Sequence, residues 1–167
     1  MIKWSTVDTP AGPFTAVVDG EGAVLASGWT AQLDELLPLI SPALLSETPV
    51  EAADLGAVTE AIRRYHDGDL HAVDGTPVRQ KSGPFRELAW EVLRKVPAGE
   101  PVSYAEYAAL AGRPQAVRAA ASACARNAAA LFVPCHRVLR SDGSLGGFRW
   151  GAPVKRWLLE HEAGLAS

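Results

Sequence analysis

A thiol, an imidazole and a guanidinium stand side by side at Cys135, His136 and Arg137, with Pro134 directly before them. A cysteine attacks as its thiolate, and a neighbouring His or Arg lowers its pKa by stabilising that anion. Pro134 fixes one backbone torsion beside the thiol and removes a backbone donor. Residues 128–133 are all apolar, so the run leaves a buried segment. This pattern reads as a nucleophile on a stiff backbone at the edge of a core. A buried, inert cysteine beside a surface His and Arg would account for the same residues, because free cysteine often serves as a small core hydrophobe.

Such a group must be positioned by the elements around it. The alternation in 2–7, the run 14–18 and the run 23–27, with Asp19-Gly20-Glu21-Gly22 as a turn, predict a small antiparallel sheet. Helices are expected over 31–40 and 54–66, the second from the spacing of Leu55, Val58, Ile62 and Tyr65. Residues 67–82 are rich in Gly, Asp and Pro and read as a linker, with Val73 and Val78 as candidates for a strand. Pro84 then opens a helix with an apolar stripe of Phe85, Leu88, Ala89, Val92, Leu93 and Val96. Ser103 and Glu106 form a capping box for a short helix ending at Gly112, and Pro114 starts another to about Arg126. Two helices joined by a short Gly-containing turn suggest a helix-turn-helix. A closing helix begins at Pro153 and runs through Trp157, Leu158 and His161. The expected fold is therefore α+β, with an N-terminal sheet-and-helix domain at 1–78 and a mostly helical C-terminal domain at 79–167.

Charge separates the same two pieces. Residues 1–83 carry 5 Lys and Arg against 12 Asp and Glu, whereas 84–167 carry 11 against 7. A basic piece beside an acidic one is compatible with DNA contact on one face, despite the overall charge of −3. No apolar run is long enough for a bilayer, and the first residues lack the basic start and apolar core of a signal peptide. Two cysteines, Cys124 and Cys135, make no disulfide framework and favour a reducing cytoplasm. The four His are scattered and no C-x-x-C pair exists, so no metal site is expected.

Pro134-Cys135-His136-Arg137-Val138 resembles the active-site motif of the O6-alkylguanine-DNA alkyltransferases. The resemblance runs from Ser103-Tyr104 to His161-Glu162-Ala163. Arg118 to Asn127 and Ser144 to Gly151 look most like the catalytic domain of the bacterial Ada-type protein. It implies an RNase H-like fold for the N-terminal domain, to which only Thr9-Pro10-Ala11-Gly12-Pro13 is similar. The regulator's zinc-binding domain has no counterpart here, so alkylation-dependent gene activation is not expected. The partner implied is double-stranded DNA carrying O6-alkylguanine, and O4-alkylthymine as a further lesion. No cofactor, membrane or obligatory protein partner is implied, and the chain is expected to act as a monomer.

The resemblance also implies the site. The Ala-rich helix from Pro114 enters the minor groove, whose sequence-poor readout suits lesion scanning. Ala119, Ala121, Ser122, Arg126 and Arg137 join it against DNA. Arg118 occupies the base stack as the target nucleotide rotates out, since atoms inside a paired base are poorly accessible. Tyr104 lies near the flipped nucleotide. A relay of Cys135, water, His136 and Glu162 generates the thiolate, on the logic of an acid–base–nucleophile triad. Asn127 braces the active-site turn. Carbonyls of Cys135 and Val138 hold the guanine amine, Pro134 shapes the pocket, and Gly146, Gly147, Phe148, Arg149 and Trp150 form its lid. Phe148 stands where many members have Tyr. A thioether is stable and no resolving thiol is evident, so turnover is not expected.

Overall fold

The computed structural model describes residues 1–165 and contains two compact units. The first comprises Met1–Lys81 and Ala128–Phe132, and the second Ser82–Asn127 and the chain from Val133 onward. The mixed α+β composition agrees with the sequence reading. The division falls three residues after the expected boundary at 78, and the apolar run before Val133 belongs to the first unit.

In the first unit, β1 (Lys3–Thr9) and β2 (Gly12–Val18) form an antiparallel hairpin, and β3 (Val24–Gly28) continues it. Gly12 turns the hairpin at φ +110°, a conformation that suits glycine. Thr9 Oγ1 donates to the Gly12 carbonyl at 2.6 Å and accepts from Ala11 N at 3.1 Å. The sheet is not wholly antiparallel. β4 (Val50–Glu51), not anticipated from sequence, pairs parallel to β1, giving the order β3-β2-β1-β4.

The helix expected over 31–40 is instead two 3-10 turns, Leu33–Glu35 and Leu37–Leu39. Pro38 lies in the second and lacks the N–H that would continue an α-helix. α1 (Ala57–His66) starts later than 54 because Gly56 takes φ +65°. It buries Val58, Ala61, Ile62 and Tyr65. The presumed linker is partly ordered against the unit. Val24 N donates to Pro77 O at 2.8 Å, Arg79 N donates to Val24 O at 2.9 Å, and Leu70 and Val73 are buried. Ser27 anchors the later segment by giving its N–H to Ala128 O at 2.8 Å and its hydroxyl to Ala130 O at 2.7 Å.

The second unit contains α2 (Pro84–Leu93), β5 (Val102–Ser103), α3 (Tyr104–Leu110), α4 (Val117–Ala125), β6 (Val138–Leu139) and α5 (Ala152–Leu165). α3 carries the expected capping box. Ser103 Oγ accepts Glu106 N at 3.0 Å, and Glu106 Oε1 accepts Ser103 N at 2.9 Å. α4 begins at Val117, because 114–116 form a turn closed by Ala116 N on Arg113 O. The expected α2 stripe holds at Ala89 and Leu93, but Leu88 is 47% exposed and Trp90 is buried instead. Trp90 Nε1 donates to Ala123 O at 2.8 Å, and Tyr107 Oη to Ala89 O at 2.6 Å. These bonds seat α4 and α3 on α2. β5 and β6 pair in parallel, Val102 with Val138, a contact too short to read from sequence. Among the described residues no helix is long and apolar enough to cross a membrane.

Candidate active site

Cys135, His136 and Arg137 form one 3-10 turn between Pro134 and β6. Arg137 N closes the turn on Pro134 O at 3.0 Å, and Cys135 N bonds Val133 O at 2.8 Å. Asn127 Nδ2 donates to Val133 O at 2.8 Å, so the second residue past α4 ties down the residue before Pro134. Cys135 opens onto a pocket of about 590 Å³ lined by Tyr104, Asn127, Phe148, Arg149, Trp150 and Gly147, with Ala121, Cys124 and Ala125 from α4.

Behind the turn lies a buried polar cluster. Glu162 Oε2 accepts His136 Nε2 at 2.7 Å and Arg137 Nη2 at 2.9 Å, and Oε1 accepts Arg137 Nε at 3.0 Å. Arg137 Nη1 donates to Val96 O at 2.8 Å. Burial alone pushes the Glu162 carboxyl up. The His136 contact and the Arg137 bonds more than offset this and hold it far below the usual carboxylate range. Burial pushes His136 down, against the pull of Glu162. Both directions describe one state, an ionised Glu162 neutralised by Arg137 with a neutral His136 beside it. Nε2 then carries the His136 proton. Nδ1 is left as an acceptor, buried and without a hydrogen-bond partner among the described residues.

This arrangement corrects two expectations. Arg137 is 4% exposed, with Nε, Nη1 and Nη2 each engaged by Glu162 or Val96, so it offers no surface guanidinium to DNA. Nor does it make a resting thiolate. Burial pushes the Cys135 thiol up, while the Asn127 hydrogen bond and the nearby Lys155 and Arg149 charges pull weakly the other way. At rest Cys135 is a protonated thiol, and its proton would have to leave before the sulfur could attack.

The remaining candidates fall into groups. Tyr104, Asn127, Gly147, Phe148, Arg149, Trp150 and Ala121 share the pocket with Cys135. Pro134 and Val138 are buried behind it. Gly146 stands off the lining with φ +73°, and a Cβ there would meet Tyr104 Oη at 3.2 Å. Arg118, Ala119 and Arg126 are exposed on and after α4, while Ala120 and Ala123 pack inward. Ser122 is half-buried and accepts Arg86 Nη2 at 3.0 Å. Cys135 O accepts Val138 N, and Val138 O accepts Lys155 Nζ at 2.8 Å. Each carbonyl retains a second lone pair. Among the described residues no His, Cys, Asp or Glu cluster could hold a metal.

Sequence reasoning missed Cys124 and Lys155. Cys124 lies three residues from Ala121 on α4, the spacing of one helix face. Lys155 shares the buried stripe of α5 with Leu158 and Glu162. Its ammonium donates to the carbonyls of Val138, Leu145 and Gly147 and lies 5.9 Å from the Phe148 ring centre. Burial pushes its pKa down, and the two cysteines pull it back up. One cation thus joins β6 to the loop that carries Leu145 and Gly147. Lys155→Met should strip the donor from three carbonyls and speed amide exchange across 145–149 while α2 stays protected. Unchanged lid exchange would show that the loop is held by other contacts.

The buried pair also sets a pH dependence. His136 and Glu162 both have folded pKa values below their unfolded ones. Their stabilisation is therefore present above the unfolded values and is lost as pH falls through them toward the folded values. The His136 part enters first, below its ordinary value of 6.5. Stability should fall between about pH 7 and 5 by up to about 1.4 kcal/mol per unit for this group. Denaturant titrations should show that slope in the wild type and a flatter one in His136→Gln.

The family model for the 6-O-methylguanine DNA methyltransferase DNA binding domain matches residues 84–164. A methylated-DNA–protein-cysteine methyltransferase of Salmonella typhimurium is 33% identical over 158 residues, 93% of this chain and 92% of the relative. The bifunctional transcriptional activator/DNA repair enzyme Ada of Escherichia coli is 49% identical over 87 residues, 52% of this chain and 25% of that protein. A solved structure of Mycobacterium tuberculosis OGT in complex with DNA superposes with TM-score 0.79 at 27% identity, covering 97% of this chain and 93% of that one.

Proposed function

The chain belongs to the methylated-DNA–protein-cysteine methyltransferase family of DNA-repair enzymes, and from that premise we propose that Cys135 irreversibly takes an alkyl group from O6-alkylguanine, and from O4-alkylthymine, in duplex DNA. The observation that carries the reading is the Cys135 pocket backed by the buried His136–Glu162–Arg137 cluster. Its chemistry suits displacement at an alkyl carbon. The thiol proton leaves through water toward His136 Nδ1, the S–C bond forms as the C–O bond breaks, and the guanine oxygen departs protonated or hydrogen-bonded. Glu162 fixes the imidazole tautomer and stabilises the imidazolium that forms, while Arg137 keeps Glu162 ionised.

In this reading residues 79–167 carry the reaction, α3 with α4 is a helix-turn-helix, and residues 1–78 are an RNase H-like N-terminal domain. α4 enters the minor groove through its exposed Ala119, and Arg118 occupies the base stack once the lesion has flipped into the pocket. The guanidinium can fill the vacated space and hydrogen-bond the orphaned base. Asn127 braces the nucleophile, Tyr104 and Ala121 wall the base, and Phe148, Arg149 and Trp150 close over the alkyl group. The missing Phe148 hydroxyl leaves its apolar role intact. The test is intact mass after incubation with methylated duplex. A single methyl adduct on Cys135, one per protein and without turnover, is expected. Multiple turnover would rule out the suicide mechanism.

A further inference from the structure

A second concave site lies on the C-terminal unit. It is a groove of about 480 Å³ whose lining includes Ser82, Phe85, Arg86, Arg113, Ala119 and Ser122. None of these residues lines the cysteine pocket.

Two arginines meet there and neither has a carboxylate. Arg86 is held by neutral hydroxyls, with Nη1 on Ser82 Oγ at 3.1 Å and Nη2 on Ser122 Oγ at 3.0 Å. Arg113 lies over the Phe85 ring, its guanidinium carbon 4.9 Å from the centroid. Among the described residues every ion pair involves other groups, including Arg63, Arg64, Arg79 and Arg137. A guanidinium stacked on an aromatic face is held flat while the N–H groups at its edge stay open to an anion. The groove therefore holds two pre-oriented, uncompensated cations, in the half of the chain where basic residues exceed acidic ones.

Its neighbours name the occupant. Ala119 and Ser122 belong to α4, the helix assigned above to the minor groove, and Ala119 presents only a methyl group to a close backbone approach. An anion that reaches this groove while α4 lies on a duplex is part of that duplex. Phosphate oxygens match the fork of an arginine, whereas base edges carry no net charge.

We infer that the groove formed by Arg86, Arg113 and Ser122 seats one backbone phosphodiester of the bound DNA, anchoring α4 in register beside the lesion. The inference rests on the DNA-repair reading above. It adds Arg86 and Arg113 to the interface, and neither was singled out from the sequence.

The experiment measures duplex affinity against salt for wild type, Arg113→Gln and Arg86→Ala/Arg113→Ala. Each phosphate neutralised contributes a slope of about 0.9 in log affinity against log salt. The double variant should be shallower by about that amount, and Arg113→Gln by a part of it. Duplexes with one neutral methylphosphonate linkage at successive positions locate the contact. One linkage should weaken the wild type and leave the double variant indifferent. Reaction with free O6-methylguanine base, which has no phosphate, reports whether each variant is folded. Should the double variant lose that reaction, exposed Arg113→Gln carries the same comparison. An unchanged slope, or linkages that cost variant and wild type equally, would overturn the inference. A wild type without salt-dependent duplex binding would instead overturn the DNA-repair reading itself.

Discussion

Cys135→Ala will accept no methyl group from methylated duplex DNA, and Cys124→Ser will accept it as the wild type does. The contrast is informative because both thiols line the same pocket. Burial pushes both up, so a low resting pKa does not choose between them. Surroundings do. Cys135 receives the Asn127 hydrogen bond and feels the Lys155 and Arg149 charges, and it stands next to a histidine kept neutral with one ring nitrogen unengaged. Cys124 sits within α4, pushed up by burial and by Cys135, with Lys155 as the sole pull the other way. A thiolate forming at Cys135 is thus met by a donor and cations, and its proton has an acceptor. Single-turnover labelling with methylated duplex, mapped by peptide mass, makes the comparison. Label on Cys124 in the alanine variant would mean that the pocket selects by proximity and that the cluster behind Cys135 is structural.

What was legible in the sequence was what is local. The capping box at Ser103 and Glu106 obeys a three-residue rule and formed as read. Pro134-Cys135-His136-Arg137 is contiguous, so a stiff turn carrying a thiol could be expected from it. The failure over 31–40 is also local, since Pro38 lies within the expected helix and lacks the N–H that would continue it. The other errors are tertiary. Arg137 reads as a surface cation, and nothing next to it in sequence announces that Glu162, two elements later on α5, buries with it. Lys155 looks like an ordinary exposed lysine between Val154 and Arg156. Its burial follows from carbonyls on β6 and the lid, whose convergence only the folded chain defines. Charges inside a core are paired by distant partners, and a local pattern cannot announce them. The division of labour within the cluster was hidden for the same reason. A sequence places His and Arg beside a thiol and suggests a thiolate, whereas the folded chain spends the arginine on the glutamate.

That division makes Arg137→Met the most revealing change in the protein. In the wild type burial holds His136 neutral against the pull of Glu162, and Arg137 helps by supplying the countercharge to that carboxylate. Without it, a buried carboxylate keeps only the imidazole as a partner, at 2.7 Å. Breaking a buried ion pair costs about 3–5 kcal/mol when the remaining charge is left alone. Here the charge need not remain alone, because His136 can take up a proton and become the missing cation. Its folded pKa then rises above the unfolded value instead of lying below it. A raised value contributes stability that is fully present below the unfolded pKa and is lost as pH rises through the folded one. The pH dependence therefore reverses. Wild type loses stability from about pH 7 to 5, whereas Arg137→Met is the more stable at the acidic end of that window. Methyl transfer follows the same switch. A protonated His136 has no lone pair for the Cys135 proton, so the variant should react slowly at neutral pH and recover as pH rises through the new His136 value. Denaturant titrations at two pH values and a single-turnover pH–rate profile test both halves. A variant that is merely weaker, with the wild-type pH dependence in stability and in rate, would show that Arg137 props up the fold without governing the protonation of His136.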